Sequence, residues 1–217
     1  MRRSNFEDEP VDYAAVGATQ AADMMSYPPE GFAPFEQSMR LGSGDERFRQ
    51  ASSSLLTWSV QRSAGVTVTD VRAASGAQYG GIRFAEDGTA LGPAQLSTEQ
   101  RFAEDGTPYI TAGTTATLTG RIGWFRADAR IRVVYVIDEA ERVAFAYGTV
   151  HSHTVSGEQA FIIEHREDDS VWFTVRTISR PVAWYYRLLP VLGRARRKRF
   201  TTEYLRALSP LWSSPAA

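Results

Sequence analysis

A chain of 217 residues, 43% hydrophobic and 23% charged, has the balance of one ordinary globular domain with a sizeable core. The absence of cysteine excludes disulfides, iron–sulfur and zinc–thiolate sites and thiol catalysis. A net charge of −1 supplies no bulk attraction to nucleic acid, and no apolar run approaches the ~18 residues of a membrane helix.

The start, Met1-Arg2-Arg3, is basic like a secretory leader, but Glu7, Asp8, Glu9 and Asp12 stand where an apolar segment would follow. A cytoplasmic chain is expected. Residues 1–43 read as an irregular, acidic leader punctuated by Pro28, Pro29, Gly31, Pro34 and Gly42. Helical periodicity begins at Asp45 and runs to Ala64, with Phe48, Ser52, Leu55, Leu56, Ser59 and Val60 on one side. Ser43 or Asp45 would cap this helix and Gly65 would stop it.

From Val66 to about Ser179 the pattern is that of strands. Val66–Val71, Ala112–Leu118, Ile131–Ile137, Val143–Val150, Gln159–Glu164 and Val171–Ile178 are rich in β-branched and aromatic residues. Their short connections favour an antiparallel sheet. Within this stretch Arg83–Thr89 repeats exactly the residues of Arg101–Thr107, and each copy carries an Asp-Gly turn dipeptide that suits a hairpin. Ser179-Arg180-Pro181 reads as a helix start. The helix would carry Trp184, Leu188 and Leu189, break at Pro190, and resume from Gly193 to Leu208 with Phe200, Tyr204 and Leu208 on one face. Charge is uneven along the chain, with 9 basic and 15 acidic residues in 1–110 and 15 and 10 in 111–217. Arg194, Arg196, Arg197, Lys198 and Arg199 concentrate the excess, as a solvated helix face or a surface for an anionic partner.

Several blocks together resemble the family of uncharacterised proteins known as DUF1990, or UPF0548. They are Arg132–Glu139, Phe145–Thr149, His153, Gly157-Glu158 with Phe161, Val171–Val175, Ser179–Pro181 and Tyr204–Leu208, preceded by Phe48, Leu55, Leu56 and Trp58. The chain departs from that pattern in Ser152-His153-Thr154, where the family reads Gly-His-Pro, and in Gln159, where it reads Glu. Residues 75–120 differ and are longer. The resemblance implies an α+β fold in which a curved antiparallel sheet wraps a long C-terminal helix, the helix-grip or START-like layout. It also implies one domain over 44–209, with 210–217 as a tail.

Three histidines lie within fifteen residues, and His151, His153 and Glu158 have the His-x-His-x4-Glu spacing of a cupin metal motif. A further histidine from a later strand is missing after His165, so no metal and no cofactor is expected. Alternate strand residues share a face. Val133, Tyr135 and Ile137 are therefore expected together, as are Phe145 with Tyr147, Phe161 with Ile163, and Phe173 with Val175. Tyr135, Phe145, Tyr147, His153, Glu158, Phe161, Phe173 and Trp184 would line an internal cavity for a small hydrophobic ligand. Tyr147, His153 and Glu158 are the candidates for acid–base chemistry in it. The expected function is binding of an apolar or amphipathic small molecule. The alternatives are an enzyme of cyclase or dehydratase type using the same cavity, and partner binding through the basic helix. The residues carry no signal of oligomeric state.

Overall fold

The computed structural model describes residues 10–74, 79–84, 90–95, 100–122, 125–152, 155–182 and 190–209. Among these residues nine strands and three α-helices follow in order: β1 (Ala33–Ser43), α1 (Asp45–Leu56), α2 (Ser59–Ser63), β2 (Thr67–Arg72), β3 (Tyr79–Phe84), β4 (Ala90–Gln95), β5 (Thr115–Ile122), β6 (Phe125–Asp138), β7 (Arg142–Thr149), β8 (Val155–His165), β9 (Ser170–Pro181) and α3 (Pro190–Ala207). Seven strands form one antiparallel sheet in the order β1-β9-β8-β7-β6-β5-β2, and β3 and β4 pair separately. No helix among the described residues is long and apolar enough to cross a membrane.

The sheet curves around α3 with α1 and α2 beside it, which is the helix-grip arrangement. Its inner face and the helices share one core: Leu55, Leu56 and Val60 meet Phe145, Phe161 and Phe173 from the strands, and Tyr204, Leu205 and Leu208 from α3. Each of these strand aromatics is fully buried and contributes about 1.5–3 kcal/mol on that account. The outer face is covered by the N-terminal segment, where Met24 and Thr19 are buried and Asp12 N–H donates to the Thr149 carbonyl at 3.0 Å.

Several expectations need correction. The leader ends at Phe32, because Ala33–Ser43 pairs along β9 from Ala33↔Ser179 to Ser43↔Ser170. Its hydrophobic pattern is weak because β1 is an edge strand, half exposed in alternation, and an edge tolerates Pro34. The helix from Asp45 breaks at Trp58, which takes a left-handed backbone with φ 62°. The Thr57 hydroxyl donates to the Ser53 carbonyl at 3.0 Å and Arg62 donates to the Thr57 carbonyl at 3.0 Å, closing the break. Neither Ser43 nor Asp45 caps the helix; Gly44 holds the N-cap position with no side-chain bond. Gly65, with φ 78°, does end the second piece.

Ser179-Arg180-Pro181 is the end of β9, not a helix start: Gly157 pairs with Ser179 and Val155 with Pro181. Proline is acceptable there because the ladder ends with it. A helix is described from Pro190 onward; Trp184, Leu188 and Leu189 lie outside the described residues. The strand expected at Ala112–Leu118 lies later, at Thr115–Ile122.

Of the two repeat copies, Arg101–Thr107 makes a tight turn. Ala103 N–H donates to the Thr107 carbonyl at 2.8 Å, the Asp105 carboxylate accepts from Thr107 N–H at 2.9 Å, and Gly106 has φ 79°. Those bonds from Thr107 hold the Asp105 carboxyl below its ordinary range. The other copy joins β3 to β4, and its residues 85–89 lie outside the described residues.

Candidate functional site

On the inner face, β7 contributes Phe145 and Tyr147, β8 contributes Gln159, Phe161 and Ile163, and β9 contributes Phe173 and Val175. Phe161 stands at the centre, with ring centroids 5.3 Å from Phe145, 5.6 Å from Tyr147 and 6.4 Å from Phe173. Tyr204 of α3 meets it edge-on at 5.1 Å. The left-handed turn at Trp58 puts its indole 5.4 Å from Phe145 and 6.4 Å from Tyr147. The interior is therefore closed by ring against ring.

Polar groups are embedded in this aromatic layer. The Tyr147 hydroxyl donates to Gln159 Oε1 at 2.8 Å, with the Tyr204 hydroxyl beside it. Burial pushes both phenols above their ordinary range. On α2 and α3, Gln61 and Thr201 are each 0% exposed. Neither Nε2 nor Oε1 of Gln61, nor Oγ1 of Thr201, has a hydrogen-bond partner. Each such group left unpaired costs about 1–3 kcal/mol.

Glu158 is on the opposite face. Strand alternation puts Tyr147 and Gln159 inward, while the next pair, Gly148 and Glu158, turns outward. The Glu158 side chain is buried and accepts from Tyr13 Oη at 2.7 Å, Gly17 N–H at 2.7 Å, Thr19 N–H at 3.0 Å and the Thr19 hydroxyl. Thr19 and Tyr135 hydroxyls lie 2.8 Å apart and extend the network. Four donors on one carboxylate make a clasp that ties the N-terminal segment to the sheet. A second carboxylate works the other way: Asp12 accepts from the Thr149 hydroxyl at 2.7 Å, Ser152 N–H at 2.7 Å and the Ser156 hydroxyl at 2.8 Å.

Tyr135 also faces outward, contrary to the expectation that it shares a face with Val133. A bulge between Val133 and Tyr135 shifts the register, so that Val133 pairs with Tyr147 but Tyr135 pairs with Ala146. Val133 stays in the inner core; Tyr135 joins Ala146, Ala160, Val134 and Ile137 outside. Of the eight expected lining residues, the structure brings together Phe145, Tyr147, Phe161 and Phe173. Tyr135 and Glu158 lie across the sheet from them, and His153 and Trp184 lie outside the described residues. Tyr147 and Glu158 are thus separated by the sheet rather than paired for acid–base chemistry. His151 is exposed on the loop after β7, and the oxygens of Glu158 are taken by their four donors. Among the described residues no three His, Asp or Glu side chains converge on a metal-sized site. His165 instead stacks on Phe48 at 5.6 Å and lies 2.8 Å from Asp169 and 3.5 Å from Asp45, joining α1 to the β8–β9 turn. In the basic cluster, Lys198 and Arg199 are exposed.

Two expected results follow from this geometry. A Cβ on Gly148 would lie 2.3 Å from Tyr13 Oη, so Gly148→Ala must push the phenol off Glu158. We expect it to lose about 1–3 kcal/mol of stability in urea unfolding, and an unchanged midpoint would contradict the clasp. Tyr13, Tyr135, Tyr147 and Tyr204 are all raised above the ordinary phenol range, first by burial and, for Tyr13 and Tyr135, also by the nearby Glu158 carboxylate. The folded state then keeps protons that the unfolded state releases above about pH 10, so stability is intact below that pH and falls above it. Absorbance at 295 nm should show these four of the nine tyrosines ionising together with alkaline unfolding. Their release in the folded protein near pH 10 would contradict the burial.

A hypothetical protein of Helicobacter pylori shares the fold, with a TM-score of 0.52 at 10% identity over 97% of this chain and 98% of that one. A START superfamily protein from Mycobacterium smegmatis superposes with a TM-score of 0.44 at 11% identity, over 81% of this chain and 95% of that one. By sequence, a UPF0548 protein of Deinococcus radiodurans is 38% identical over 77 residues, or 36% of this chain and 39% of that protein. A UPF0548 protein of Dictyostelium discoideum is 26% identical over 108 residues, 45% and 50% of the two chains. The chain thus matches half or less of the length of these curated relatives. The model of a domain of unknown function, DUF1990, matches residues 12–91 and 94–207, and the chain belongs to that family.

Proposed function

We propose that the protein binds one small, apolar or amphipathic molecule between the inner face of the sheet and α3. The observation that carries this reading is the cluster of Phe145, Tyr147, Phe161 and Phe173, with the buried Tyr147 hydroxyl bonded to the half-buried Gln159 amide at its edge. Binding sites for small molecules are built this way, as apolar walls with a few polar groups that fix orientation. His153 and Trp184, outside the described residues, stay in the proposal as candidates from the sequence. Tyr135 and Glu158 support it from behind, by holding the N-terminal cover on the other face. Since rings fill the interior, a ligand enters by displacing α3. That movement is eased because Gln61 of α2 and Thr201 of α3 carry buried polar atoms that gain no hydrogen bond from the closed state.

The uncharged, amphipathic dye Nile red tests the reading, because its emission rises in apolar surroundings. Titration should saturate at one dye per chain, and Tyr147→Phe combined with Gln159→Leu should change the emission maximum of the bound dye. Absence of saturable binding would overturn the proposal.

A further inference from the structure

We infer, resting on the binding proposed above, that the ligand is an uncharged molecule whose hydrogen-bonding end is met by Gln61 and Thr201 at the seam of α2 and α3. Gln61 stands three residues after Trp58, whose indole touches the Phe145 and Tyr147 rings. Thr201 stands one helical turn before Tyr204, whose ring meets Phe161. The two helices pack on each other, and both residues are fully buried beside core positions, Gln61 next to Val60 and Thr201 on the same helix face as Tyr204, Leu205 and Leu208.

Neither side chain is spent on the fold. The Gln61 main-chain carbonyl accepts from Val66 N–H at 2.9 Å and closes the end of α2, while the amide of its side chain has no partner. Thr57 and Thr202 return their hydroxyls to carbonyls of their own helices; Thr201 does not. A carboxamide presents a donor and an acceptor side by side, and a threonine hydroxyl adds one of each. The complementary ligand group is a neutral one with adjacent donor and acceptor, such as a carboxamide on an aromatic or alicyclic body.

Charge favours the same kind of ligand. Among the buried described residues, Glu158 is the one charged side chain, and it lies on the outer face with four donors of its own. An ionised ligand group entering the inner face would leave water without a counter-charge from these residues. Neutral molecules are therefore selected.

The test compares 2-naphthamide with 2-naphthoate, which share a body and differ in charge, by calorimetric titration at pH 7. The amide should bind at least tenfold more tightly. Gln61→Leu and Thr201→Val should each weaken the amide at least fivefold, and both variants should melt no lower than the parent because they remove unpaired buried polar atoms. Equal affinities, or a preference for naphthoate, would overturn the inference on the parent protein alone, whatever the variants do. So would an amide affinity untouched by Gln61→Leu. If neither naphthalene compound binds while Nile red does, this inference fails and the binding site stands. If Nile red fails as well, both readings fall.

Discussion

Replacing Phe161 with alanine is expected to cost about 3–5 kcal/mol in urea unfolding, the range for truncating a large aromatic in a tight core. Phe161 is fully buried and its ring touches four others, from Phe145, Tyr147, Phe173 and Tyr204. Removing it deletes one of the contacts between the sheet and α3. The same change opens space in the proposed binding site, so Nile red should still bind, with a shifted emission maximum. A loss of less than about 1 kcal/mol would show that the interior is loosely filled and that the ring contacts do not hold the helix.

Glu158→Ala is the second large effect. It leaves the buried Thr19 N–H, the part-buried Gly17 N–H and the hydroxyls of Tyr13 and Thr19 without their acceptor, and should cost about 3–5 kcal/mol. Glu158→Gln keeps an acceptor but turns an amide N–H₂ toward donors, and should cost less, about 1–3 kcal/mol. Limited proteolysis should then cut within residues 12–32 of the alanine variant far faster than in the parent. Dye binding on the other face should persist. A stable Glu158→Ala whose only defect is lost ligand binding would return Glu158 to the binding site and contradict the clasp.

Much of the inner face is legible from residues alone. Phe145 with Tyr147, Phe161 with Ile163 and Phe173 with Val175 alternate as strand residues must, and the structure puts each pair on the inner side. Tyr135 falls on the side opposite to the one its spacing implies because one bulged residue between Val133 and Tyr135 reverses the alternation, and a bulge leaves no mark in hydrophobic period. The clasp is hidden for another reason. Its donors, Tyr13, Gly17 and Thr19, come from about 140 positions away, in a stretch without periodicity. The separation of Tyr147 from Glu158 can be drawn from strand parity, since 147 and 159 pair while 148 and 158 pair next to them. Gln61 and Thr201 carry no such signal. An amide on a short helix and a hydroxyl in a basic one read as solvent-facing until the packing of α2 against α3 buries them.

The most direct test of small-molecule binding on the inner face is native mass spectrometry of the protein isolated without denaturant from its own host. The account predicts a mass above that of the 24.1 kDa chain by one small molecule, released when the chain is unfolded and neutral in solution at pH 7. The mass of the bare chain in every preparation, together with no saturable uptake of Nile red, would contradict it.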